Sequence, residues 1–171
     1  MALPVRSWVL SLLVGLLLVA SAAAEAVVLE NEACRWEIGA DGNTQALISR
    51  ADQENYAQPN VPCMLAGRGE QVWPATRVAR ERDLLLVSFD GGNAQVKLKV
   101  ETRPRYFVLT VAEVSGELDW LQFGNLPTII TQNVGQLVNA AWDERFGVCM
   151  LACNDQVDCG SHGVPTARAY R

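Results

Sequence analysis

One histidine in 171 residues, His162, is the chain's most consequential shortage. A Ser-His-Asp or Cys-His nucleophile system would have to use it. It stands in the glycine-flanked segment Gly160-Ser161-His162-Gly163, where no strand end holds it, and no G-x-S-x-G sequence occurs. His162 therefore reads as a loop residue. Also missing is any cluster of Lys and Arg, in a chain of net charge −5. Phosphate neutralisation supplies most of the affinity for nucleic acid, so an acidic domain of this kind is a poor nucleic-acid binder. It is equally poorly suited to anionic lipid. Long helical periods are scarce too, the one helix-like patch being Thr131 to Asn139, interrupted by Gly135.

What is present begins with a leader. Arg6 precedes the apolar run Trp8 to Ala20, and the small residues Ser21-Ala22-Ala23-Ala24 precede Glu25. A positive n-region, an apolar h-region and an A-x-A site make a secretory signal peptide over residues 1–24. Cleavage falls before Glu25 or before Val27. The competing reading is an uncleaved anchor, since Trp8 to Ala24 reaches the lower end of a spanning helix at about 17 residues; the membrane would then be met only through the leader. Either way the chain is exported, to a periplasmic or extracellular space. About 147 residues remain, enough for one domain with a core.

From Val27 onward, short apolar runs alternate with turn signals. Trp36-Glu37-Ile38, then Asp41-Gly42-Asn43, then Gln45 to Ile48 predicts a hairpin, because glycine tolerates the positive φ of the turn. Ser49 to Pro62 reads as a polar loop, and Gln71-Val72-Trp73 as a strand ending at Pro74. Leu84 to Phe89 meets Asp90-Gly91-Gly92-Asn93. Val96, Leu98 and Val100 then alternate with Lys97, Lys99 and Glu101, giving one dry face and one charged face. Trp120 falls in an alternating strand and is assigned to the core. Phe146 to Cys153 is apolar on both faces and is placed centrally between two layers. About nine strands at roughly ten-residue spacing predict an all-β, antiparallel sandwich over residues 25–154. Residues 155–171 read as an irregular or truncated end.

The five cysteines all follow the leader. Export permits disulfides, but an odd count leaves a thiol over. Cys34 and Cys63 are the pair to test first. Cys149 and Cys153, roughly 13 Å apart on an extended strand, cannot bridge each other and read as small core fillers. The string Cys149, Cys153, Cys159, His162 lacks the tight knuckles of a zinc site, so no metal is expected. No cofactor is expected either. Among the carboxylates, Glu113, Asp119, Asp143 and Glu144 offer no distinctive glycosidase-type pair.

Tryptophans are more informative. Trp73 stands between a glycine-rich turn and Pro74, and Trp142 stands beside Asp143 and Glu144. An indole face left open can stack on a pyranose while neighbouring carboxylates take the hydroxyls. Trp73, Trp142 and Asp143 are thus the candidate carbohydrate contacts, set against the plainer reading that these rings cap the sandwich.

Taken together, Val28-Leu29-Glu30-Asn31 followed by Trp36-Glu37-Ile38-Gly39-Ala40-Asp41-Gly42 resembles the opening of a galactose-mutarotase-like supersandwich domain. Ala141-Trp142-Asp143-Glu144-Arg145-Phe146-Gly147-Val148 is similar to segments of large secreted proteins of that kind. Such domains stand at the N-terminus of bacterial α-glucosidase- and α-galactosidase-like glycoside hydrolases. The resemblance implies a sugar-associated, non-catalytic domain whose partners are neutral glycans and a following catalytic barrel. It transfers no catalytic residue: the carboxylates of those enzymes lie on the barrel, and mutarotases themselves use several histidines. The alternative is a stand-alone envelope or extracellular β-sandwich that binds protein or serves a structural role.

Overall fold

The computed structural model describes residues 25–135, 139–159 and 166–170. The leader and His162 lie outside them. The N-terminal strands are β1 (Val27–Glu30), β2 (Cys34–Ile38), β3 (Asn43–Ser49) and β4 (Val61–Pro62). The middle of the chain forms β5 (Leu65–Arg68), β6 (Gln71–Glu81), β7 (Leu84–Phe89), β8 (Gln95–Thr102), β9 (Phe107–Ser115) and β10 (Trp120–Asn125). There follow β11 (Asn133–Val134), β12 (Ala140–Trp142), β13 (Gly147–Cys149), β14 (Val157–Asp158) and β15 (Thr166–Tyr170). No helix occurs among the described residues, so none is long and apolar enough to cross a membrane.

Among the described residues, three antiparallel sheets result. The first has the order β1-β2-β3-β4, the second β14-β15-β10-β5-β6-β7-β8-β9, and the third β11-β12-β13. The β2–β3 hairpin forms where the sequence places it. Gly42 takes φ +82°, and the Asp41 carboxylate accepts the Asn43 amide at 3.0 Å and its side-chain NH₂ at 2.8 Å. These bonds hold the Asp41 carboxyl below its ordinary range.

Period-two alternation then turns each apolar face inward. Val27, Leu29, Trp36, Ile38 and Leu47 of the first sheet meet Val78, Leu85, Val87, Val96, Leu98, Val100, Leu121 and Phe123 of the second in one buried cluster. Each such side chain contributes about 1.5–3 kcal/mol by leaving water. The result is the antiparallel sandwich that the alternation predicts. The polar face of β8 stays wet, with Lys97 bound to Glu113 at 2.6 Å and Glu101 between Lys99 at 3.2 Å and Arg103 at 2.9 Å.

Elsewhere the structure departs from expectation. Pro74 does not end a strand: β6 pairs with β5 through Pro74 and with β7 from Ala75 onward. The proline sits where the ladder changes sides, and the missing N–H is tolerated there. The segment Ser49 to Pro62 is not wholly a surface loop, since Tyr56 and Ala57 are buried and β4 closes it. Within 131–139, the described residues form β11 instead of a helix. Trp120 does not enter the main core. It faces the other side of β10 from Leu121 and Phe123, lies flat over Gly67, and carries the Arg168 guanidinium 4.3 Å above its ring.

The largest correction concerns Phe146 to Cys153. Only Gly147–Cys149 is a strand, it ends the small third sheet, and Leu151 is 74% exposed. Cys149 and Cys153 are exposed as well, so neither fills the core. Phe146 and Val148 do pack inward, and Met150 fits the space left by the missing side chain of Gly124. The tail is equally changed. Of residues 155–171, the described 155–159 and 166–170 are not simply irregular, because β15 lies between β14 and β10 and belongs to the same sheet as residues before 154. Buried Asn139 ties the third sheet to this tail: its Nδ2 donates to Met150 O and Thr166 O, and its Oδ1 accepts the Thr166 amide.

Register also places Cys34 and Cys63 apart. Cys34 pairs with Ser49 at one end of β3, while the Cys63 amide donates to Gly42 O beyond the other end. That is about 20 Å along the strand, against the roughly 7 Å limit for a bridge, so this fold does not join them. Burial raises the pKa of both thiols, that of Cys63 to about 12, and neither is a ready nucleophile.

Candidate functional site

The third sheet carries the most exposed of the candidate rings. Trp142 ends β12 with Asn133 opposite on one side and Gly147 opposite on the other. Directly opposed residues of an antiparallel pair share a face. Gly147 has no side chain to lay against the indole, so the ring is left uncovered on that side and is 42% exposed. A Cβ at position 147 would stand 3.1 Å from Trp142 Cβ. Asn133 fixes the other side, its Nδ2 donating to Trp142 O at 3.2 Å. The result is an aromatic side chain held by a sheet and flanked by an amide.

Asp143, next along the chain, is turned to a different task. Its Oδ1 accepts the backbone amides of Arg145 and Phe146, each at 2.8 Å, which closes the β12–β13 connection. Those two bonds hold its carboxyl below the usual carboxylate range. Asp143 thus shapes the turn behind Trp142. Asp41, Asp52 and Asp143 all have depressed folded pKa values, chiefly from hydrogen bonds to the ionised form. A depressed carboxyl adds stability above its unfolded pKa and loses it as pH falls through the folded value. Thermal melts are therefore expected to be flat from pH 7 to about pH 5 and to fall progressively below about pH 4. Asp143→Asn keeps an acceptor for the turn and is expected to flatten part of that acid slope.

Trp73 occupies a different place. It lies on β6 with its indole over the Gly91-Gly92 turn, where a Cβ at either glycine would overlap the ring, and it packs against the main core. Its ring is half-buried and used for packing. Trp73 and Trp142 stand on different sheets with different packing partners, so they do not make one platform.

A depression of 140 Å³ lies beside Asp143, between it and the loop before β4. Tyr56 and Ile130 form its apolar part, and Glu54, Asn55, Arg145 and Asp143 give it a polar lip. Tyr56 stacks on Phe146 with ring centroids 4.6 Å apart and donates its hydroxyl to Asp52 at 2.7 Å. That bond, together with burial and the charges of Asp52 and Asp143, raises the Tyr56 pKa to about 12. Ligand pockets usually span about 300–1,000 Å³, so this depression is smaller than a small-molecule site. Sequence reasoning missed Tyr56 because it stands in a polar stretch with no alternation around it.

The remaining carboxylate candidates are held apart by their own partners. Glu113 binds Lys97, and Asp119 Oδ2 accepts the Gly69 amide at 2.8 Å. Glu144 is exposed in the turn after Asp143. Among the described residues, no group of three or more His, Cys, Asp or Glu is placed to hold a metal ion. Comparison of the chain with protein-family models, with curated proteins and with solved structures finds no match.

Proposed function

We propose that this chain is a non-catalytic, carbohydrate-associated β-sandwich of an exported protein, with Trp142 as its sugar contact. The observation that carries the reading is the open indole of Trp142, held on a strand and left bare by Gly147. The apolar face of a pyranose stacks on such a ring, and a nearby amide such as Asn133 suits its hydroxyls. The leader-like N-terminus supports an exported location. The resemblance to galactose-mutarotase-like domains supports neutral glycans as the ligand class and a catalytic barrel as the companion. Trp73 and Asp143 serve as supports in this reading, the first for the β7–β8 turn and the second for the turn behind Trp142.

A single exposed ring supplies on the order of 1 kcal/mol, so affinity for one sugar is expected to be weak, near millimolar. Titration of neutral oligosaccharides against intrinsic fluorescence tests this. Trp142→Ala is expected to abolish the response with the melting temperature nearly unchanged, because the ring is outside the core. Trp73→Ala is expected to lower the melting temperature and to leave the sugar response in place. Emission that no glycan perturbs at high millimolar concentration would remove the sugar reading and leave the protein-binding or structural one.

A further inference from the structure

Of the strands that end a sheet among the described residues, only β9 is long and open. Among the described residues, β4, β11 and β14 have two residues each and β13 has three. The four-residue β1 is partly closed by Arg80, whose Nη1 donates to Val28 O at 2.8 Å. By contrast β9 runs nine residues, Phe107–Ser115, with β8 on one side only. A row of unpaired amides and carbonyls is a template for another strand.

Its side chains show what kind of strand fits. Opposite Thr102, Val100 and Leu98, the residues Phe107, Leu109 and Val111 face the core but are only partly buried. On the other face Val108 stands opposite Glu101 and Thr110 opposite Lys99. The register shifts between Lys97 and Leu98, leaving Ala112 as a bulge. The regular ladder is therefore Phe107 to Val111, five uncharged residues centred on Leu109.

We propose that this edge pairs antiparallel with the β9 edge of a second copy of the chain, on a two-fold axis through Leu109. Phe107 then meets Val111, and Leu109 meets itself, so the half-covered apolar row gains a cover from each copy. On the wet face Val108 meets Thr110 of the second copy. Each cross-sheet row then runs from Glu101 of one copy to Lys99 of the other, about 14 Å apart. At that distance salt screens these charges, and Glu101 is already paired with Lys99 and Arg103 of its own copy, so the register rests on the apolar row. Moving the axis to Thr110 carries Phe107 past the bulge at Ala112, and moving it to Val108 sets Val111 against Arg105, outside the strand. A slip of one residue is excluded, because directly opposed residues must share a face. A five-residue edge contact is small beside a standard interface, so the dimer is expected to be weak and to form only as concentration rises. The proposal stands independently of the sugar reading.

Sedimentation equilibrium of the chain expressed from its own leader tests it. The wild type is expected to shift from monomer to dimer mass as concentration rises. Val108→Lys with Thr110→Lys places two like-charged pairs across the axis, and monomer is expected throughout. Val108→Lys with Thr110→Glu places opposite charges together only in the proposed register, and dimer is expected to return. Both positions lie on the face away from the core, Thr110 exposed and Val108 half-buried, and circular dichroism of each variant checks the fold. A wild type that stays monomeric overturns the proposal, as does a lysine–lysine variant that still dimerises. A folded lysine–glutamate variant that remains monomeric overturns the register and the proposal with it.

Discussion

Leu98→Asp is expected to leave no folded domain, whereas Leu151→Asp is expected to be tolerated. Leu98 is fully buried, with Leu85 opposite on β7 and Val111 opposite on β9. A carboxylate there has neither water nor a partner. The lost apolar burial, about 2 kcal/mol, adds to a desolvation cost of several more. Domains of this size are stable by about 5–15 kcal/mol, so one such change removes most or all of the margin. Leu151 lies in an equally apolar stretch but is exposed, so a charge there is solvated. Far-UV circular dichroism and urea titration of the two variants give the comparison. A Leu151→Asp protein that fails to fold would restore the central placement that its sequence suggests.

The second large effect is expected at Gly42. Gly42 at φ +82° and Gly69 at φ +55° are two of the four described glycines in the positive-φ region that L side chains avoid. They differ in their surroundings. A Cβ at Gly69 would meet nothing within 4 Å, while one at Gly42 would stand 2.7 Å from Ala75 O and 2.8 Å from Ala75 Cβ. Gly69→Ala is therefore expected to cost only the conformational term, about 1 kcal/mol. Gly42→Ala adds an overlap with the backbone of β6, which must move against the core, and roughly 3 kcal/mol is expected in total. Chemical denaturation of both variants isolates the packing part by difference. Equal losses at the two sites would mean that the β2–β3 turn does not press on β6.

The candidate site was legible only in part. Trp142 stood out as a ring beside charges and a turn, and it is exposed on the surface. Its two flanking partners, Asn133 and Gly147, were not singled out, because cross-strand neighbours depend on a register that no local pattern records. Adjacency in the sequence places Asp143 with the ring, yet its carboxylate turns back to its own chain. The alternative spelling was available, since an Asp in a short connection commonly accepts the amides two and three residues on.

Sequence alone determined the class of the fold and the dry face of the cleanly alternating strand β8. Alternation with period two is a property of neighbouring residues, so Val96, Leu98 and Val100 declare their face without reference to any other strand. The glycine turns after Ile38 and Phe89 are local for the same reason. Tertiary structure alone decided which apolar run is central and which is marginal. Phe146 to Cys153 and Leu84 to Phe89 look alike as text, but β7 has a strand on each side and β13 has one. It also set Cys34 and Cys63 at opposite ends of β3 and left β9 uncovered. Such outcomes depend on which strands lie next to one another, and pairing between residues far apart in the chain is a contest among all the strands at once.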